Sequence, residues 1–599
     1  MPFTKAQVQH IKKTIEEVTR CPIQAKVECT QAKGLSVQLN NGQATIAAED
    51  KTALARGFFL LLKAEKDGKS TLDIRQTRHI DSCGAFIDCS RGAVMTVEAV
   101  NRYTAALAAL GLNLIVLYTE DTYTVPEYPH FGHLRGRYTQ KEWQEMDDYA
   151  DSLGVELVPC IQTLAHLGQF LQWEPNEHLK DTPYCLLIDN DETYEFIEAE
   201  IRAIRACVRT KRLHIGMDEA HGVGLNRYFA LNGPVDRFEL LTRHLNRVLD
   251  ICKQYDFAPC MWSDMFFRLG SKENEYYDLE ADLPQRVIDM LPDVGMCYWD
   301  YYHTEAHWYE HMLTQHQKMG KPVLFAGGVW TWSGFLPNFD LTYATMLPAL
   351  QKCAEHRVDT VMATMWGDDG NETDYFLALS MMPVFSESCW QASACKQVEM
   401  AELGAFLTGL PVKAQQAFAM FYPGAKDIRA GKSMVYCDLL YPLTEGLLPL
   451  DESISRFRKA REILAEYSNH ADCAYADALF AIALEKAEIV RDIRSRYLNK
   501  DTAYLAAVAH EKIPQLLAAY ERLITLHRAQ WESSYKRNGW EVFALRYGAV
   551  TGRLKDVQYA LLRYLDGSLK TLCELDEAPL PAKRKGGMQW YQIYTSPQA

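Results

Sequence analysis

The sequence contains neither a strongly basic segment nor a long apolar one, and each absence argues against a class of protein. Its 63 Lys and Arg residues are outnumbered by 78 Asp and Glu, which gives a formal net charge of −15. This charge, with no Lys/Arg run to offset it, argues against a nucleic-acid-binding protein. No apolar run has the ~20 residues that a membrane-spanning helix needs, and Met1 to Gln7 lack the apolar core of a secretion signal. We expect neither a nucleic-acid nor a membrane partner.

Cofactor motifs are missing as well. The 16 cysteines are scattered singly, with no CxxC pair at zinc spacing. Cysteines of this kind, mostly within apolar segments, are typical of small buried side chains in a reducing compartment. The sequence therefore predicts a cytoplasmic protein with no metal and no cofactor.

The pattern of the chain changes twice along its length. Residues 1–78 indicate a small α/β domain, with strands expected at 25–29, 36–39 and 44–47 and a helix over 51–64. Residues 79–390 repeat a cycle of strand and helix. Beyond residue 390 only helical periodicity remains, which predicts an α-helical C-terminal domain over 391–599. Its helices either form a homodimer face or brace the central domain.

Eight apolar strands are predicted in the central domain, and most are followed by a helix: 85–88, 114–117, 155–159, 213–217, 258–262, 294–299, 322–326 and 360–365. This alternation implies a parallel sheet, and about 300 residues suit a (β/α)8 TIM barrel. An open doubly wound sheet is the structural alternative, but no GxGxxG or P-loop follows any of the strands. In a TIM barrel the active site lies at the carboxyl ends of the strands.

The fourth of these strands ends in the adjacent acids Asp218 and Glu219. Neighbouring side chains on a strand point to opposite faces, so the backbone must bend here if both acids are to reach one pocket. The other strand ends carry basic, acidic and aromatic residues: Arg91, Asp121, His166, Trp262, Asp264, Trp299, Tyr301, Trp330, Trp332, Trp366 and Asp368. This set predicts an aromatic-walled pocket for a polyhydroxylated ligand.

Two carboxyl groups can perform glycoside hydrolysis as acid and nucleophile or as acid and base. In a third arrangement the 2-acetamido oxygen of the substrate attacks the anomeric carbon. The enzyme then needs one acid and one carboxylate that orients the acetamido group. An adjacent Asp-Glu pair suits that division of roles.

The motifs resemble those of glycoside hydrolase family 20, the β-N-acetylhexosaminidases. The resemblance covers about residues 1–390. It is carried by four segments: His214-Ile215-Gly216-x-Asp218-Glu219, Asn113 to Asp121, Pro159 to His166, and Trp366-x-Asp368. It implies an exo-acting enzyme that removes terminal β-linked GlcNAc or GalNAc from an oligosaccharide or glycoconjugate, with retention and without a cofactor.

The resemblance also implies roles for the strand-end residues. Glu219 would be the general acid and Asp218 the residue that holds the acetamido group, and Asp121 and His166 would form a relay to Glu219. The sugar-binding residues would be Arg91, Asp368, Trp262 and Trp366, with Trp299, Trp330 and Trp332 as further aromatic candidates and Tyr301 in place of the family's acetamide-binding Tyr.

The chain departs from the family pattern close to these motifs. Tyr118 stands where His is usual, Cys160 and Gln162 where Glu and Asp are usual, and Met217 where Gly is usual. The departures leave the acid in place but leave the substrate preference open. They also keep a rival hypothesis open, in which the chain is a catalytically inactive sugar-binding protein.

A second rival is a metal-dependent barrel hydrolase or isomerase. His214, Asp218 and His221 stand at spacings of four and three residues, which fit one face of a helix that binds zinc or manganese. His214 falls within an apolar strand, however, and is predicted to be a hydrogen-bonded core residue instead.

Overall fold

A computed structural model describes residues 3–281, 283–332, 334–391, 395–422, 430–441 and 449–577. The end of the predicted C-terminal domain, 578–599, lies outside the described residues. Within these ranges the strands are β1 (Lys26–Gln31), β2 (Leu35–Asn40), β3 (Gln43–Ala48), β4 (Thr71–Gln76), β5 (Ser82–Asp88), β6 (Leu114–Tyr118), β7 (Glu156–Cys160), β8 (Arg212–His214), β9 (Ala258–Trp262), β10 (Gly295–Trp299), β11 (Val323–Gly328) and β12 (Thr360–Met365).

The α-helices of the first two domains are α1 (Lys5–Thr19), α2 (Lys51–Lys66), α3 (Val97–Ala109), α4 (Gln140–Leu153), α5 (Gly168–Leu171), α6 (Asp191–Arg205), α7 (Arg227–Asn232), α8 (Arg237–Gln254), α9 (Asp264–Gly270), α10 (Gln285–Met290), α11 (Ala306–Lys318), α12 (Phe339–Glu355), α13 (Tyr375–Ala378) and α14 (Pro383–Trp390). Those of the last domain are α15 (Gln397–Thr408), α16 (Val412–Ala419), α17 (Ala430–Tyr436), α18 (Leu450–Ala465), α19 (Ala471–Leu498), α20 (Thr502–Ala507), α21 (Ile513–Ser534), α22 (Trp540–Leu565) and α23 (Cys573–Asp576). None of these helices is both long and apolar enough to cross a membrane.

The N-terminal unit is a four-stranded sheet in the order β1-β3-β2-β4. Helices α1 and α2 pack on each other, and α2 also packs on the sheet. Three of the strands and α2 follow the predicted pattern. The fourth strand, β4, was not predicted, because all its side chains are exposed or half-buried and give no apolar signal. It pairs with β2 along its whole length.

Strands β5 to β12 form a closed barrel, in which β12 pairs with β5. All neighbouring pairs are parallel, and a long helix covers most of the connections. The predicted TIM barrel with a helical C-terminal domain is therefore confirmed. Strand β8 is shorter than predicted and stops at His214, three residues before Met217. This early end is important for the chemistry of the residues that follow it.

The helical C-terminal domain packs on the barrel beside the first strand end. The backbone of Ser534 to Lys536 exchanges hydrogen bonds with Val94 and Thr96, which follow β5. A bridge between Met95 and Tyr535 continues this contact. The described C-terminal helices thus brace the barrel at the end of the strands where catalytic side chains are expected.

Candidate active site

The chain turns sharply after β8 and so brings two consecutive acids to one pocket. Gly216, Met217 and Glu219 have φ values of 70°, 74° and 51°. A Cβ on Gly216 would lie 2.1 Å from Oε1 of Gln162, so only glycine fits there. Left-handed residues break the alternation of side chains that a strand imposes. Asp218 and Glu219 consequently both line the same pocket at the barrel mouth, as the sequence required.

Asp218 is held at the inner wall of the pocket. Gln162 donates from Nε2 to its Oδ1 over 2.7 Å, and Nε2 of His166 lies 3.2 Å from its Oδ2. Burial acts to raise the pKa of Asp218, but the positive charge of His166 and these contacts outweigh burial and lower the pKa below its ordinary value. The Asp218 carboxylate therefore stays ionised at neutral pH and is fixed in orientation.

Glu219 faces the opening of the pocket. Its side chain is 40% exposed, whereas that of Asp218 is 12% exposed. Its backbone N–H donates to Oδ2 of Asp264 over 3.0 Å, and its Oε2 lies 3.5 Å from Nε2 of His166. Asp264 is fully buried, and burial and the negative charge of Asp218 raise its pKa well above the ordinary value. The two adjacent acids thus occupy different environments, one enclosed and one open to an incoming group.

His166 lies between these acids and a third carboxyl group. Its Nδ1 is 3.7 Å from Oε1 of Glu120. Burial tends to lower the pKa of His166, but the charges of Asp218 and Glu120 prevail and raise it to about 9. His166 is therefore a cation at neutral pH. Glu120 and His166 have left-handed φ values of 42° and 57°, and such backbone strain is often found at active sites.

The carboxyl group beside His166 is not the one predicted. Asp121 points away and accepts a hydrogen bond from Nε of Arg135 over 2.7 Å, and Glu120 occupies the predicted place of Asp121. The predicted relay is thus corrected: His166 lies beside Glu120, whose φ of 42° is left-handed, and not beside Asp121.

Two departures from the family pattern connect the carboxylates. Gln162 donates from Nε2 to Oη of Tyr118 over 3.0 Å as well as to Asp218, and Tyr118 in turn donates to Oε1 of Glu120 over 3.0 Å. The Oε1 of Gln162 accepts the backbone N–H of Met217 over 3.2 Å. The sequence showed these residues only as differences from the family. In the structure they form the hydrogen-bonded wall behind Asp218.

Arg91 forms the opposite wall, after β5. Its Nη1 is 2.9 Å from Oδ2 of Asp88, its Nη2 is 3.6 Å from Glu120, and its Nε is 3.7 Å from Oδ1 of Asp368. Asp88 also accepts the backbone N–H of Gly367 over 2.9 Å. Three carboxylates thus hold one guanidinium group, whose side chain is 24% exposed. A paired and partly open Arg next to an acid is well suited to bind vicinal hydroxyls.

Aromatic rings complete the pocket. Four of the predicted Trp residues and one predicted Tyr line it: Trp262, Trp299, Trp332, Trp366 and Tyr301. The ring of Tyr301 stacks on that of Trp299, with centroids 5.5 Å apart. Nε1 of Trp262 is buried and has no hydrogen-bond partner among the described residues. A ligand hydroxyl or carbonyl oxygen that enters the pocket can accept a hydrogen bond from it.

One predicted aromatic residue lies behind the pocket, and another was missed. Trp330 stacks under Trp332 at 4.2 Å and donates from Nε1 to the carbonyl of Tyr301 over 2.9 Å. It supports the wall and does not line it, which corrects the prediction. Tyr302 lines the pocket but follows Tyr301 directly, and alternation along a strand would place it on the other face.

The C-terminal domain clamps the loop that carries Trp366 and Asp368. Lys432 of α17 lies 2.7 Å from Asp369 and 2.6 Å from Glu372. Arg546 of α22 contacts the same two carboxylates at 2.9 and 3.0 Å. All four side chains are at most 10% exposed. Breaking a buried ion pair of this kind costs about 3–5 kcal/mol, so the loop is firmly fixed.

The three candidate ligands of the rival metal hypothesis do not converge. His214 is buried against Trp262, with ring centroids 4.3 Å apart, and burial lowers its pKa to about 3. Its Nδ1 accepts the backbone N–H of Gly216 over 3.2 Å. His221 contacts the hydroxyl of Tyr276 on the outer side. In the part of the chain that the structure describes, no group of three or more His, Cys, Asp or Glu residues is arranged to hold a metal ion.

Two separate stretches of the chain match models of known protein families. The family model for the glycosyl hydrolase family 20 catalytic domain matches residues 83–280, and that for the glycoside hydrolase 20C C-terminal domain matches residues 415–594. Hexosaminidase D of Bos taurus is 26% identical over 219 residues, which are 34% of this chain and 61% of that protein. Hexosaminidase D of Homo sapiens is 24% identical over 255 residues, which are 40% of this chain and 49% of that protein. The match thus covers 49–61% of the length of these relatives, less than two thirds of either.

Solved structures share the fold. The exo β-N-acetylglucosaminidase of Vibrio harveyi, in complex with N-acetylglucosamine, superposes with a TM-score of 0.51 at 15% identity over 70% of this chain and 74% of that chain. The N-acetyl-β-hexosaminidase of Streptomyces plicatus superposes with a TM-score of 0.51 at 17% identity over 68% of this chain and 92% of that chain. Sequence identities of 15% and 17% show that the fold is shared and show nothing beyond the fold.

Proposed function

Because the chain belongs to glycoside hydrolase family 20, we propose that it is an exo-acting β-N-acetylhexosaminidase that removes terminal β-linked GlcNAc or GalNAc with retention of configuration. The observation that carries the proposal is the unequal environment of the two adjacent acids. Asp218 is enclosed, hydrogen-bonded and ionised, whereas Glu219 is 40% exposed at the pocket opening. A substrate-assisted reaction needs one group of each kind.

In the first step Glu219 donates its proton to the glycosidic oxygen as the bond to the anomeric carbon breaks. The 2-acetamido oxygen of the substrate attacks that carbon and forms an oxazolinium ring. Asp218 accepts a hydrogen bond from the acetamido N–H and stabilises the positive charge that develops on the ring. Tyr301 is the proposed donor to the acetamido oxygen.

In the second step the Glu219 carboxylate takes a proton from water, which attacks the anomeric carbon from the face that the leaving group vacated. The bond between that carbon and the acetamido oxygen breaks, so the 2-acetamido group is restored. Two inversions give net retention. His166, protonated because its pKa is raised to about 9, keeps Asp218 ionised throughout. Arg91 and Asp368 bind the hydroxyls of the terminal sugar, and the Trp walls exclude water during the internal attack.

The test uses the whole chain and three substrates. We expect hydrolysis of nitrophenyl β-N-acetylglucosaminide and of N,N′-diacetylchitobiose (chitobiose for short), and a loss of turnover of at least about 100-fold on chitobiose in Glu219→Gln. A nitrophenyl glucosamine that lacks the acetyl group should be hydrolysed extremely slowly, since it lacks the internal nucleophile. Full chitobiose turnover in Glu219→Gln contradicts the assignment. Calorimetric binding of GlcNAc with no product over hours supports instead the inactive sugar-binding protein.

We further propose that the enzyme works in the cytoplasm on small oligosaccharides. Support comes from the cysteines. All 16 lie in described residues as free thiols, and most are buried, which is typical of a reducing compartment. Localisation of a tagged full-length chain by cell fractionation tests this, and recovery in a secreted or membrane fraction contradicts it.

A further inference from the structure

A second groove opens from the pocket on the side of Glu219. Glu219, Trp299 and Tyr302 line both spaces. The groove encloses about 500 Å³, which lies within the usual range of small-molecule sites. We call it the leaving-group groove and define it by these three residues together with Tyr276 and Trp308.

The position of Glu219 fixes what the groove must hold, provided that the proposed function is correct. The acid protonates the oxygen between the terminal sugar and the group that leaves. The terminal sugar occupies the pocket on one side of Glu219, so the leaving group extends to the other side. The groove is the space on that side, and it is continuous with the pocket through Trp299.

The groove has a preformed aromatic wall. Trp308 stacks on His303 with centroids 4.0 Å apart and an interplanar angle of 16°. Nδ1 of His303 lies 2.7 Å from Oδ2 of Asp300, so the stack is held in place. Tyr276 packs on Trp299 at 5.3 Å, and Tyr302 is 54% exposed. The exposed part of this wall suits the apolar face of a sugar ring.

The side chains that line the groove are mainly acidic, and one cation outside the lining, Arg268, lies 4.9 Å from the ring centroid of Tyr276. Glu273, Glu275, Asp278 and Asp300 line it together with Glu219, and the single basic lining residue, His303, is paired with Asp300. Neither Glu273 nor Glu275 has an ion-pair partner among the described residues, and both are exposed. A wall lined by acids on one side attracts cations and repels anions over distances of about one Debye length, ~10 Å at 0.1 M salt.

We propose that this groove is the binding site of the leaving sugar and that it selects amino sugars with a protonated amine over neutral sugars, and neutral sugars over uronic acids. The aromatic wall provides the stacking surface, and the acids provide the discrimination. The terminal sugar that is removed remains the N-acetylated one.

The test compares three disaccharides that share the terminal GlcNAc and the β1,4 linkage but differ in the leaving sugar: glucosamine, N-acetylglucosamine or glucuronic acid. Below the pKa of the amine, we expect kcat/KM to fall in that order by about 1.5- to fivefold per step, the range expected for exposed charge pairs. The differences should shrink in 0.5 M NaCl, because salt screens exposed charges. A flat series, or one in the reverse order, overturns the proposal.

Variants locate the effect in the groove. In Glu273→Gln/Glu275→Gln the ratio of kcat/KM between the glucosamine and glucuronate substrates should fall towards one. In Glu280→Gln, an exposed acid of the same segment that does not line the groove, the ratio should stay as in the wild type. Equal ratios in the double variant and the wild type contradict the proposal.

A further variant tests the aromatic wall. Trp308→Ala should lower kcat/KM about fivefold more for chitobiose than for N-acetylglucosaminyl fluoride, because a leaving group of one atom cannot reach Trp308. Equal losses on both substrates argue against the groove. If the wild type does not hydrolyse the fluoride at all, the proposed function fails rather than the groove assignment.

Discussion

On the β12 side of the pocket, buried ion pairs from the C-terminal domain hold the loop that carries Trp366 and Asp368. On the β9 side, the wall comes from a segment in which four consecutive residues, 272–275, are exposed. In the complex that we propose, the first side faces the terminal sugar and the second faces the leaving group.

The difference between the two sides indicates how selectively each of them binds its part of the substrate. Rigid, charge-paired residues such as Arg91 require a fixed pattern of hydroxyls, because misplacement leaves buried charges unpaired. Exposed aromatic and acidic residues tolerate different partners and discriminate only by charge and stacking. We therefore expect strict recognition of the terminal sugar and graded recognition of the leaving group.

The largest expected effect separates the two acids. Asp218→Asn should lower kcat about 100- to 1,000-fold on all substrates, because the acetamido group loses its charged partner. Glu219→Gln should cause a comparable loss on chitobiose but a much smaller loss on a dinitrophenyl glycoside, whose leaving group needs no proton. Steady-state kinetics of both variants on both substrates checks this. Equal sensitivity of the two variants to the leaving group would assign the acids differently.

On the β12 side of the pocket, Arg91→Met should lower kcat/KM about 30- to 100-fold, since the sugar hydroxyls lose their cation and Asp88 loses a buried partner. Arg91→Lys should recover only part of the loss, because Lys cannot contact three carboxylates with one planar group. The loss should be the same for nitrophenyl and disaccharide substrates. A loss confined to disaccharides would place Arg91 on the leaving-group side.

The clamp itself is tested by Arg546→Met. Because two buried carboxylates lose a cation, the free energy of unfolding should fall by about 3 kcal/mol. KM should rise about tenfold with kcat little changed. Arg458→Met, in an exposed pair with Glu488, is the control and should change stability by less than about 1 kcal/mol. Urea unfolding and initial rates provide the two measurements. An unchanged KM in Arg546→Met would show that the clamp serves stability alone.

The smallest expected effect is a pH dependence of stability that comes from His166, which lies between the two sides of the pocket. Its pKa is raised to about 9 in the folded protein, so its contribution to stability is complete below its unfolded pKa of about 6.5 and is lost as pH rises through 9. The apparent melting temperature should fall by a few degrees between pH 6.5 and 9 in the wild type, and by less in His166→Gln. Parallel pH profiles of the two proteins would contradict the raised pKa.

Most of the fold follows from sequence periodicity. The eight barrel strands, at 82–88 to 360–365, are apolar runs because both faces of a parallel barrel strand are buried. The half-exposed strand β4 gave no such signal. The helical character of α18 to α22 followed from apolar residues at helical spacing.

The site was harder to predict where the backbone leaves the regular strand. Strand alternation cannot tell which of two consecutive acids faces inward once a residue is left-handed, and the family motif pointed to Asp121, whereas Glu120 lies beside His166. Trp330 was assigned to the pocket because its partner, the backbone carbonyl of Tyr301, is invisible in a sequence pattern. Family motifs located Asp218 and Glu219, but not the hydrogen-bonding role of Gln162.

The turn at Gly216 affects the order in which parts of the pocket are lost during thermal inactivation. Since Asp218 and Glu219 are neighbours in the chain, a single peptide unit of about 3.8 Å between their Cα atoms sets their spacing. Loosening of the barrel cannot change this Cα spacing, although it can move Arg91 and Trp366, which follow other strands. The distance between their Cα atoms is thus covalently fixed. As long as the left-handed turn from Gly216 to Glu219 persists, thermal inactivation should begin as weaker binding of the substrate while both acids still line the pocket.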